Sequence, residues 1–187
     1  MSEGLTRRQR QTIGLGIVFF CTVAFIAGFF ILQIPRFELY DNPQARLKIK
    51  YPKSWTVNDK LGQGAVVAFL SPKQSDLDVF LDNVNIVVQD LSRNPMTIEQ
   101  YNTLAIQQLT SVFNNLTILE SHPVLWAGHA GHKLVYFAKG PMTDLKVMHV
   151  WMIDNNKAYQ FTYTAVFAQY DKYVGLANTM VQSFTLY

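Results

Sequence analysis

Residues 145–165, LKVMHVWMIDNNKAYQFTYTA, decide the architecture. Leu145–Ile153 and Ala158–Ala165 are rich in β-branched and aromatic residues. Asp154-Asn155-Asn156 lies between them, and Asn and Asp tolerate the backbone of a tight hairpin. Two strands joined so closely run antiparallel. Upstream, Gly131–Ala138 and Leu116–Glu120 read as further strands. Downstream the period changes: Tyr170, Tyr173, Val174, Ala177, Met180, Val181 and Phe184 fall on one face of a helix over Gln169–Phe184. A second amphipathic helix is predicted over Thr97–Asn114. Thr97-x-x-Gln100 opens it as a capping box, and Tyr101, Leu104, Ala105, Gln108 and Val112 follow at helical spacing. Before it come Asn83–Leu91, Ala65–Leu70, the short Trp55-Thr56-Val57 with a Gly62/Gly64 turn, and Leu47, Ile49 and Tyr51 alternating with basic residues up to Pro52. Strands, a helix, strands and a terminal helix do not alternate as βαβ units do. The expected class is α+β, an antiparallel sheet flanked by helices.

The rest of the chain places that domain. Of 187 residues, 49% are hydrophobic and 16% charged, against roughly 25% charged in soluble domains. Much of the excess lies in residues 13–34, IGLGIVFFCTVAFIAGFFILQI, which carry no charge. As a helix they would measure about 33 Å, enough for the ~30 Å hydrocarbon core. Arg7, Arg8 and Arg10 precede them, so the positive-inside rule puts residues 1–12 on the cytoplasmic or stromal side and the domain across the membrane. The apolar stretch exceeds a signal-peptide core, and Leu32-Gln33-Ile34-Pro35 offers no small-x-small cleavage site. Phe20 before Cys21 is unlike a lipid-attachment site. The expected organisation is a basic tail over 1–12, a single-pass helix in the lipid bilayer over 13–34, a connector over 35–44 and a globular domain over 45–187. Ala24 and Gly28 have the small-xxx-small spacing that seats a neighbouring helix, though such residues also face lipid. Of the net charge of +3, the first twelve residues contribute +2, which leaves no basic stripe for nucleic acid. The one cysteine lies within the apolar segment, so no disulfide is expected.

Catalytic signatures are missing: there is no G-x-S-x-G elbow, no Walker loop and no H-E-x-x-H. Of four histidines, His122, His129 and His132 lie close in sequence and make a candidate site for Mn, Ca or Zn. Gly128 and Gly131 argue for a turn entering a strand, where residues three apart point to opposite sides, so solvated or core histidines are the alternative. Asp76, Asp78 and Asp82 resemble oxygen ligands of a calcium loop but lack its central glycine and closing glutamate; a solvated acidic loop is the alternative. Trp126, before Gly128, reads either as core or as an exposed partner anchor. Trp151 alternates with His149 and Ile153 on one strand and reads as packing.

The ordered blocks KIKYPKSW (48–55), VVAFLSP (66–72), DNVNIVVQDLS (82–92), TIEQYNTLAIQQL (97–109), ILESHPVLWAGHAGHKLVY (118–136) and VWMIDNNKAYQFTYTA (150–165) resemble the PsbP family. The resemblance covers roughly residues 45–185. It implies a PsbP/Mog1-like fold. It also implies a non-enzymatic auxiliary subunit or assembly factor on the lumenal side of a photosynthetic complex, most of all photosystem II, with integral-membrane subunits as partners and the thylakoid membrane as location. The uncleaved anchor departs from relatives that are lipoproteins or soluble. Two other functions compete: a tethered metal- or small-ligand-binding module, and a Mog1-like GTPase regulator, which the expected orientation places on the wrong side of the membrane.

Overall fold

The computed structural model describes residues 35–62, 64–74, 78, 80–113, 115–140 and 143–187. The expected tail and membrane helix, with Ala24 and Gly28, lie outside the described residues, as does Asp76. Among the described residues no helix is long and apolar enough to cross a membrane.

The 145–165 hairpin forms as expected. β8 (Asp144–Asp154) and β9 (Lys157–Val166) pair in continuous antiparallel register and turn through Asn155 and Asn156, at φ 48° and 57°. Asparagine is suited to that left-handed backbone. β7 (His129–Lys139) pairs with β8, and β6 (Leu116–Trp126) with β7. On the other side β5 (Asn83–Asp90) pairs with β9, followed by β4 (Ala65–Leu70) and β3 (Thr56–Asn58). The seven-stranded sheet runs β3-β4-β5-β9-β8-β7-β6. A second sheet of three strands puts β2 (Leu47–Pro52) between β1 (Phe37–Asn42) and β10 (Thr185–Leu186).

Two stretches differ from expectation. β6 does not stop at Glu120 but runs on through Pro123 to Trp126. Proline removes a donor that a central strand needs, but β6 is the sheet's edge, where one side of the strand pairs with no strand among the described residues. Residues 37–42, expected within the connector, form β1. Their polar alternation hides a strand that side chains link to its neighbour by an ion pair and a hydrogen bond: Asp41 meets Lys48 at 3.2 Å, and Glu38 accepts from Tyr51 at 3.1 Å.

Each helix covers one face of the large sheet. α1 (Ile98–Val112) is capped by Thr97, whose side chain accepts from the Gln100 amide while Gln100 answers the Thr97 N–H. With β7 and β8 it encloses Leu91, Tyr101, Leu134, Tyr136, Val147, Trp151 and Ala158. α2 (Tyr170–Ser183) follows a 3₁₀ turn, Phe167–Gln169. Ala177 and Met180 of α2 pack with Phe184 against Tyr159, Phe161 and Tyr163, the alternate residues of β9. The small sheet adds Leu47 and Ile49 to this larger core.

Candidate functional site

The structure separates the three histidines. β6 and β7 pair His122 with Lys133 and Pro123 with His132. Strand alternation therefore puts His122 and His132 on opposite faces, and His129, three residues before His132, opposite it as well. His132 stacks on Trp151 with ring centroids 5.2 Å apart, and its Nε2 lies 2.9 Å from the Ser121 hydroxyl. Burial, aided by the nearby His122, lowers its pKa below the ordinary histidine value. His129 instead lies with Nδ1 3.9 Å from an Asp154 carboxylate oxygen. Among the described residues, no three His, Cys, Asp or Glu side chains gather where they could hold a metal.

Trp126 is core rather than an exposed anchor. It is 3% exposed, stacks obliquely on Phe184 at 4.5 Å and donates its indole N–H to the Val181 carbonyl at 3.0 Å. The reason is the turn. Ala127 and Gly128, at φ 48° and 84°, form a two-residue hairpin, so Trp126 is a paired strand residue opposite His129. Its exposed neighbour is Leu125.

The acidic trio divides too. Asp78 accepts from the Gln74 amide at 3.3 Å. Asp82 is buried, with neither carboxylate oxygen in hydrogen-bond geometry with any described residue. Burial pushes its pKa up to about 6; the Val166 backbone and the Lys172 ammonium oppose this, and Asp78 adds to it.

The feature that sequence spacing did not single out lies under α1. Gln89 of β5, His149 of β8 and Gln160 of β9 floor a hollow of about 210 Å³, walled by Tyr101, Ala105, Gln108, Leu109, Val112 and Phe113. Tyr101 donates to the Gln89 side-chain oxygen at 2.9 Å. The His149 ring meets Trp151 edge to face at 4.8 Å. Gln160 lies close enough to favour the charged ring slightly, but neither ring nitrogen is in hydrogen-bond geometry with any described residue. Burial lowers the His149 pKa to about 4, so the ring is neutral at pH 7. Gln89 and Gln160 also line an open depression of about 530 Å³ that reaches Gly64, Val87 and Val88. Strand alternation identifies these floor residues as sharing one face, but not that space is left above them.

Neither a family model nor a curated protein matches the sequence. Solved structures do match in fold. The solution structure of cyanobacterial PsbP from Synechocystis sp. PCC 6803 aligns with a TM-score of 0.62 and 14% identity, over 82% of this chain and 94% of that one. LpqN of Mycobacterium tuberculosis, described as involved in cell envelope biogenesis, aligns with a TM-score of 0.63 and 9% identity, over 86% and 96%. The Saccharomyces cerevisiae Ran-binding protein Mog1p gives 0.58 and 7%, over 81% and 96%. At such identities the likeness concerns the fold alone, and the chain has the PsbP/Mog1-like fold.

Proposed function

We propose that the chain is a PsbP-related, non-enzymatic auxiliary held in the membrane by residues 13–34. Its folded domain works on the lumenal or periplasmic side of a photosynthetic complex, with photosystem II first among the candidates. The observation that carries this reading is the alignment with cyanobacterial PsbP over nearly the whole of that chain. The ordered sequence blocks between residues 48 and 165 point the same way. Only Pro35 and Arg36 separate the apolar segment from β1. A tether that short confines the domain to membrane partners and raises its effective concentration beside them without strong intrinsic affinity.

The test is a mild-detergent pull-down of the affinity-tagged full chain from its native membranes, with mass spectrometry and absorption spectra of the eluate. Photosystem II core subunits with bound chlorophyll are the expected result, lost when residues 13–34 are exchanged for an unrelated anchor. An eluate without pigment or photosystem subunits overturns the proposal.

A further inference from the structure

The hollow under α1 holds polar chemistry that the fold itself leaves unused. A buried polar group without a partner costs about 1–3 kcal/mol, and such groups in native proteins usually answer to a bound molecule or water. Among the described residues His149 is one, on a central strand with both ring nitrogens closed off from solvent. The other polar side chains lining the hollow, Gln89, Gln108, Gln160 and Tyr101, are uncharged at neutral pH, and each amide offers both a donor and an acceptor. The remaining lining is aliphatic and aromatic, with Leu109 and Phe113 prominent.

This lining selects by exclusion. A charged ligand would lose its hydration against walls with no counter-charge. A hydrocarbon would leave the imidazole and the amides unsatisfied. At about 210 Å³ the space lies below the ~300–1,000 Å³ of sites for drug-sized ligands, which limits the occupant to a single ring and its substituents. We propose that this hollow binds a small uncharged ring compound bearing a hydroxyl or carboxamide group, with the ring against Leu109 and Phe113 and the polar group on His149 and Gln160. Gln160 lies beside the imidazole and lines the same space, so rotation of its side chain brings a ring nitrogen within reach of the ligand. The site is separate from the metal and catalytic chemistries considered above, and it stands whether or not the chain serves a photosystem.

The experiment uses the full chain in lipid nanodiscs with nitrogen-15-labelled histidine, titrated with phenol and with benzamide; benzoate and benzylamine are charged controls. The expected result is a saturable shift of the His149 ring resonances with at least one neutral probe, and at least tenfold weaker binding of both controls. Isothermal titration calorimetry reads the variants, since one of them lacks the His149 resonance: His149→Phe, and independently Gln160→Leu should the first variant fail to fold, each weaken the neutral probe tenfold or more while the circular dichroism spectrum is retained. No saturable shift with either neutral probe overturns the assignment. So does binding of the charged controls as tight as that of the neutral probes, or unchanged affinity in a folded variant.

Discussion

The two faces of the seven-stranded sheet are built to different standards. On the α2 face Trp126, Phe161 and Phe184 interlock, and two of the buried polar side chains there find backbone partners. The Trp126 indole bonds to Val181, and the Tyr163 hydroxyl donates to the Tyr170 carbonyl at 2.9 Å. Two groups there are without a hydrogen-bonded partner among the described residues: the Trp55 indole nitrogen, its ring edge-on to Tyr173, and the Asp82 carboxylate beside Lys172. On the α1 face the apolar cluster is smaller and gives way to a hollow over an unpaired imidazole. One face is a filled core; the other gives up packing for polar space. Proteins commonly depart from packing rules where a surface has work other than stability.

The largest test of that contrast is Trp126→Ala, which should cost about 3–5 kcal/mol as a large ring leaves a filled core. Urea unfolding measures it, and a loss under 1 kcal/mol would mean the α2 face is not packed as described. Overfilling separates the faces next. Ala165→Leu, at a fully buried site of the α2 core, should destabilise by about 1–3 kcal/mol, whereas Ala105→Leu beside the hollow should change stability by less than about 0.5 kcal/mol. Equal costs would erase the distinction.

Acidity sharpens it further, because the two unpartnered titratable groups pull in opposite directions. Native Asp82 keeps its proton up to about pH 6, while an unfolded aspartate releases it near 3.8. Its burial therefore weakens the fold above pH 6, and the weakening vanishes as pH falls toward 4. Native His149 stays neutral down to about pH 4, whereas the unfolded ring protonates near 6.5. Its contribution is intact above 6.5 and lost on acidification to 4. Between pH 4 and 6 these two contributions to the wild-type stability profile should largely cancel. Asp82→Asn should make stability fall on acidification there, and His149→Phe should make it rise, each by up to about 1.4 kcal/mol per pH unit. Parallel profiles for all three proteins would refute the opposition. Last is Thr97→Ala, which removes the α1 cap and should cost about 1 kcal/mol, read as a lower urea midpoint.

How legible these regions were in the sequence depends on how local their causes are. The Asn155-Asn156 hairpin and the Thr97/Gln100 cap were readable because a few adjacent residues dictate them. β10 was not, because its partner β2 lies far back in the chain: Thr185 pairs with Lys48; β1 was hidden by its own mixed polar and apolar composition, although β2 follows it directly. Pro123 hid the second half of β6 because only the strand's position at the edge makes a proline harmless there. The opposed histidines followed from strand period alone, whereas the burial of Trp126 hung on a turn of just two residues. The hollow was least legible. Alternation puts Gln89, His149 and Gln160 on one face, but the space above them depends on where α1 crosses the sheet.

The margins of the large sheet bear on crowding. Crowded copies meet edge to edge often, and an open strand is a template for polymerisation. Here one margin is β3, only three residues long, and the other is β6, whose hydrogen-bonding row is broken by Pro123 and by the register shift between Ile118 and Glu120. The exposed Leu119 and Leu125 sit on that interrupted strand. Neither margin offers a long regular row to a neighbouring copy, so dense packing of copies need not become a fibre.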